Sequence, residues 1–144
     1  MSEVHKDGPI IIIEDDKDDQ EILAEIFKKL DLDNEIIYFA DGNLALEYLN
    51  QTEVHPFLIM SDVNMPKING FDLRNLVQTN ERLHIKCIPY LFFTTSATKK
   101  SVSDAYTLSV QGFFEKPSSF SELEKTIKII IDYWKACVAP GQYE

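Results

Sequence analysis

The sequence predicts a doubly wound α/β fold: a five-stranded, mostly parallel sheet with helices on both faces. Three observations carry this. Five short apolar runs alternate strictly with amphipathic stretches along the 144 residues, the pattern of repeated strand–helix units. The first run, Ile10-Ile11-Ile12-Ile13, is β-branched and does not alternate, as in a strand covered on both faces. Charged and hydroxyl residues gather where the runs end, and open α/β sheets bind ligands at the carboxyl ends of their strands.

Taken in order, the first strand occupies residues 9–13. A helix over 17–31 places Ile22, Leu23, Ile26, Phe27 and Leu30 on one stripe, and Asp18 with Glu21 reads as its start signal. A short strand at 35–39 precedes a helix over 41–50 with Leu44, Ala45, Tyr48 and Leu49 inward. The third strand, 56–61, leads to a helix over 69–79 that uses Phe71, Leu73, Leu76 and Val77. Segment 80–88 is slightly long for a plain connection to the fourth strand, 89–93. A polar helix rich in Ser and Thr spans 98–109, and a fifth strand spans 112–115. Ser119 with Glu122 forms a capping box that opens a last helix to about residue 138. Its inward stripe is Leu123, Ile127, Ile130, Ile131 and Trp134. Each crossover is expected to be right-handed.

Composition narrows the function. Asp plus Glu number 24 against 14 Lys plus Arg, a net charge of −10. That balance disfavours nucleic acid and anionic membrane surfaces, which need clustered cations. No apolar run reaches membrane-span length, and residues 1–9 contain no signal-peptide core. Cys87 and Cys137 lie without metal-ligand spacing and read as reduced thiols of a cytoplasmic protein. One domain is expected over residues 1–144, with a core at about 9–138 and short tails at 1–7 and 139–144.

The strand ends carry the chemistry. The first strand ends in Glu14-Asp15-Asp16, the third in Asp62, the fourth in Thr94-Thr95-Ser96 and the fifth in Lys116-Pro117. Taken singly, these residues have plain explanations. Acids suit a helix N-terminus, a lysine suits the surface, and a threonine suits the end of a strand. Together they place carboxylates, a hydroxyl and an ammonium on one edge. Carboxylates in one pocket raise each other's pKa, and a hard divalent cation such as Mg²⁺ relieves this while keeping room for phosphate oxygen. A carboxylate can also act as a nucleophile and become an aspartyl phosphate. The new dianion then needs the cation, a positive side chain and a hydrogen-bond donor.

In these residues the chain resembles the receiver domain of two-component response regulators. The resemblance runs from about Pro9 to Ala136. It rests on Ile13-Glu14-Asp15-Asp16; on Asp62-Val63-Asn64-Met65-Pro66-Lys67-Ile68-Asn69-Gly70, close to the pattern D-x-x-M-P-x-x-x-G; on Phe92-Phe93-Thr94-Thr95-Ser96; and on Phe114-Glu115-Lys116-Pro117. It implies a flavodoxin-like (βα)5 fold with strand order 2-1-3-4-5. It also implies that Asp62 accepts a phosphoryl group from a histidine kinase or histidine phosphotransfer protein. Glu14, Asp15, Asp62 and the backbone carbonyl of Asn64 would hold Mg²⁺, with Asp16 contributing field. Lys116 would bind a phosphoryl oxygen. Thr94 would swing inward to the phosphoryl group, and Phe113 would change rotamer with it. Pro117 falls at the family's cis-proline position, and Gly70 at a strained turn into the third helix.

Three residues depart from the family pattern. Thr95 stands where a small residue is usual, Glu14 where Asp is commoner, and Phe113 where Tyr is frequent. The long 80–88 segment and the acidic 14–19 stretch are similar to stand-alone receivers paired with phytochrome-like kinases.

The family fold would use nearly the whole chain, so output through a downstream protein target is expected. The expected face is the fourth helix, fifth strand and fifth helix as numbered from sequence, with Ser103, Tyr106 and Phe113. The apolar 133–138 segment either packs back on the sheet or makes a homodimer contact. Two other readings are weaker. A Mg²⁺-dependent phosphohydrolase would want a second acid two residues after the nucleophile, where Asn64 stands. A binding scaffold that has lost its chemistry would lack Asp62 or Lys116, and both are present. A nucleophilic triad and a Gly-rich phosphate loop find no match. The chain therefore reads as a phosphoacceptor module and not as a conventional enzyme.

Overall fold

Five strands form one parallel sheet: β1 (Ile10–Ile13), β2 (Ile36–Phe39), β3 (Leu58–Ser61), β4 (Tyr90–Thr94) and β5 (Gly112–Glu115). Their order is β2-β1-β3-β4-β5, so the order reverses between β1 and β3. The structure is a computed structural model and describes residues 5–51, 53, 55–95 and 97–138. Ser96 and the 139–144 tail lie outside the described residues, as does most of the 1–7 tail. Register is tight: Ile10 to Ile13 sit opposite Ile36 to Phe39 on one side and Leu58 to Ser61 on the other.

Strand side chains alternate between two cores. Ile10, Ile12, Leu58, Met60, Leu91 and Phe93 face α1 (Lys17–Leu30) and α6 (Phe120–Ala136), against Ile26, Phe27, Ile127 and Ile130. Ile11, Ile13, Ile59, Tyr90 and Phe92 face α2 (Gly42–Gln51), α3 (Gly70–Thr79), α4 (Glu81–Lys86) and α5 (Lys99–Thr107). The central strands β1, β3 and β4 are buried throughout, whereas edge strand β2 is half-buried along its length. This is why the inner runs are continuously apolar in sequence.

The structure corrects several local readings. Segment 80–88 contains α4, seated by the buried Leu83. Helix α1 begins on Asp16, whose carboxylate accepts from the Asp19 N–H, and not on Asp18. Ile22, Leu44 and Leu76 are exposed. In α3 an inward place beside Leu73 and Val77 goes to Arg74, which reaches main-chain carbonyls beyond α5. Ser119 caps α6 through the Glu122 N–H as expected.

The Lys116–Pro117 peptide bond is trans, not cis as the family position suggested. The trans preference of an X–Pro bond is only about 0.5–1 kcal/mol, so residue identity alone does not fix the isomer. Gly70 does not have a left-handed backbone; Lys67 does, at φ 68°. What Gly70 supplies is room. A Cβ there would lie 2.3 Å from the Asp62 carbonyl oxygen and 2.8 Å from the Phe92 ring. The start of α3 can therefore press against the loop after β3, and the Gly70 N–H donates to the Val63 carbonyl at 2.8 Å.

Candidate functional site

Parallel strands point all five carboxyl ends at one edge, and the sequence-predicted residues meet there. Glu14 follows β1, Asp62 follows β3, Thr94 ends β4 and Lys116 follows β5. Glu14, Asp15 and Asp62 each offer an oxygen, and these atoms all lie within 4.8 Å of one another. Glu14 and Asp62 are buried and Asp15 is exposed.

Lys116 joins them from the far side of the sheet. Its side chain is 6% exposed. The ammonium pairs with Glu14 Oε1, lies 3.1 Å from Asp19 Oδ2 and 3.7 Å from Asp62 Oδ2. The main chain fixes this reach, since the Lys116 N–H donates to the Thr94 carbonyl at 2.7 Å. Asp19 was not picked out from sequence. It sits in the first turn of α1, where it reads as an ordinary helix-start acid.

The anions are held by main-chain donors. Asp62 Oδ1 accepts from the Val63 N–H at 2.6 Å and lies 3.4 Å from the Asn64 N–H, which leaves Oδ2 turned toward Lys116. Glu14 Oε2 accepts from the Asp16 N–H at 3.1 Å. Asp16 itself stays outside the cluster, engaged as the α1 cap.

The charges do not balance. Burial, reinforced by the Asp62 carboxylate, pushes Glu14 up from its ordinary 4.5 to about 7, although Lys116 opposes the shift. Burial pulls Lys116 down, but Glu14, Asp62 and Asp19 outweigh it and the ammonium ends above its ordinary value. One cation among four carboxylates stays charged, while the most buried carboxylate resists ionisation. A site built only of oxygen donors with surplus negative charge suits a hard divalent cation.

Thr94 is 1% exposed and Phe113 half-buried. Phe92, beside Thr94's neighbour in β4, carries a chain of rings. It makes edge contacts with Phe71 and Tyr90, each at 5.4 Å, and with Phe113 at 6.0 Å. Helix α3, through Phe71, and β5, through Phe113, are therefore linked by packed aromatics. Thr95 is exposed at the same edge.

A groove of about 320 Å³ opens on the α5–β5–α6 face between Tyr106, Phe113, Ile129, Tyr133 and Trp134. Trp134 packs on the core, while Tyr133 and Val138 stay exposed at 61% and 62%. Cys87 and Cys137 are free thiols. Among the described residues, no helix is long and apolar enough to cross a membrane.

Comparison with known proteins follows the same lines. Residues 10–128 match the sequence profile of the response regulator receiver domain. The chain is 30% identical over 129 residues to the probable methanogenesis regulatory protein FilR2 of Methanothrix harundinacea, covering 87% of this chain and 82% of that protein. It is 30% identical over 130 residues to the response regulator Rcp1 of Synechocystis sp., covering 87% of each. The phosphorylated cyanobacterial phytochrome response regulator RcpA superposes with a TM-score of 0.82 at 26% identity, over 91% of this chain and 96% of that one. The Mn(2+)-bound form of Rcp1 superposes at 0.78 with 30% identity, over the same shares of the two chains.

Proposed function

This chain belongs to the response regulator receiver family, and from that premise we propose that it is a phosphorylation-driven signalling module whose acceptor is Asp62. The carrying observation is the convergence of Glu14, Asp15 and Asp62 beside the buried ammonium of Lys116. The phosphoryl donor is a histidine kinase or a histidine phosphotransfer protein. Likeness to RcpA and Rcp1 favours a phytochrome-like kinase as that partner.

The chemistry is a displacement at phosphorus. Asp62 Oδ2, the oxygen turned away from the main-chain donors, forms the new O–P bond. The P–N bond of the phosphohistidine breaks, and its electron pair returns to the imidazole. Lys116 shifts from Asp62 Oδ2 to an oxygen of the transferred group, matching charge where charge gathers. Thr94, at the end of the neighbouring strand, supplies the hydroxyl that holds a second phosphoryl oxygen. Glu14, Asp15, Asp62 and the Asn64 carbonyl are the residues that would hold a divalent cation, with Mg²⁺ as the expected ion. When bound, it neutralises the carboxylates and the developing phosphoryl charge.

The output is conformational. A dianion at Asp62 biases a two-state equilibrium. The ring chain from Phe92 to Phe113 is the packed route to the α5–β5–α6 face. There the groove beside Tyr106 receives a downstream protein target or a second copy of the chain. Cytoplasmic signalling of this kind needs no nucleic-acid or membrane contact, in keeping with the net charge of −10.

The test is intact-mass measurement after treatment with acetyl phosphate and Mg²⁺. One phosphoryl group is expected on the wild-type chain and none on Asp62→Asn or in the presence of a chelator. Equal labelling of the variant would sink the assignment.

A further inference from the structure

A second cavity lies at the opposite edge of the sheet from the acidic cluster. It measures about 350 Å³ and sits beside the chain entering β4 and β5, among residues that include Arg74, His84, Ile88 and Ser109. Cavities of this size hold small ligands.

Arg74 is the unusual member. It is 7% exposed. Its Nε donates to the Leu108 carbonyl at 3.0 Å and its Nη2 to the Ser109 carbonyl at 2.8 Å. Its guanidinium carbon stands 5.3 Å from the centre of the Tyr90 ring. These partners are dipoles and a π-face, and none carries negative charge. No carboxylate among the described residues pairs with it, in a chain that has 24 acids. Burial accordingly depresses its pKa. A buried charge without a counter-charge is costly, and here the missing counter-charge coincides with an open cavity. Among the described residues lining that cavity there is again no carboxylate.

Val77, Leu83 and Ile88 border the cavity but are 6% exposed or less, so they present little surface to it. We propose that this cavity binds a small organic carboxylate, whose anionic end pairs with Arg74 and whose short hydrocarbon part fills the remaining volume. A bare inorganic anion would satisfy the guanidinium but leave most of the roughly 350 Å³ unfilled, so the volume selects an organic ligand. The site is independent of the Asp62 assignment, being built from different residues at the other edge.

The test uses benzoate and butyrate as probes, with phosphate and chloride for comparison, followed by backbone amide NMR on the whole chain. Saturable shifts at Val77, Ile88 and Ser109 are expected with the carboxylates and not with the inorganic ions. Arg74→Gln should weaken binding about tenfold or more, as expected for loss of a charge-assisted contact. Because Arg74 also braces the end of α5, Gln78→Trp serves as a second variant. It narrows the cavity, leaves Arg74 in place and should abolish the shifts in a chain whose remaining spectrum is unchanged. The proposal is overturned by an absence of saturable shifts in the wild type. It is equally overturned by the same shifts from phosphate or chloride, or by carboxylate shifts that persist in Gln78→Trp.

Discussion

At Glu14, burial and charge oppose one another, and pH reads the balance. Its carboxyl is raised from 4.5 to about 7 by burial and by Asp62. Between those values the folded chain holds a proton that the unfolded chain has released. Stability should therefore fall as pH rises through that window. Thermal melts from pH 4.5 to 8 without metal should show this slope, Glu14→Gln should flatten it, and Mg²⁺ should offset it by favouring the ionised form. A variant with an unchanged slope would assign the pH dependence elsewhere. Gly70 makes a steric prediction. An added methyl meets the Asp62 carbonyl oxygen at 2.3 Å, so Gly70→Ala should cost about 1–3 kcal/mol as overpacking and weaken Mg²⁺ binding by displacing the loop. Urea melts and a metal titration check both effects. Glu14, Asp15, Asp62 and Lys116 were legible because strand ends define where they must meet. Asp19 was not, because it follows no strand end: it lies in the first turn of α1, where an acid is ordinary.

Helix α4 shows where periodicity runs out. Six residues make fewer than two turns, too short for an apolar stripe to declare itself, and short helices depend on tertiary packing. Asn80 gives the element its boundaries. Its N–H closes α3 on the Leu76 carbonyl, its Oδ1 accepts from the Leu83 N–H, and its Nδ2 donates to Asn50 Oδ1 at 2.9 Å. Asn80→Ala removes the cap and the bridge to α2, and should lower stability by about 1–2 kcal/mol in urea unfolding. A loss near zero would mean that α4 is held by Leu83 alone. The longer helices were readable because 10 to 17 residues display their stripe. Their errors, at Ile22, Leu44 and Leu76, arise because periodicity names a face and not which side of it meets a neighbour. Arg74 took an inward place that no hydropathy pattern assigns to arginine, because two main-chain carbonyls were waiting there.

For the whole molecule, the strict alternation of runs carried the sheet, its parallel sense and the edge where the site lies. The sheet then does two jobs. Its continuous core holds β1, β3 and β4 rigid, and that rigidity brings four distant sequence segments within hydrogen-bonding reach. The negative surplus divides likewise, with a few acids concentrated at the strand ends and most of the others on exposed helix faces and loops. On the proposed function, a phosphoryl group is transferred at this edge to one carboxylate. The direct measurement is peptide mapping by mass spectrometry after phosphorylation with Mg²⁺ and borohydride reduction, which marks the side chain that carries the acyl phosphate. Reduction is expected at Asp62 alone, lost when Mg²⁺ is chelated. Reduction at Asp15 or Glu14 instead, or an unmarked Asp62 in a chain that has gained the phosphoryl mass, would contradict it.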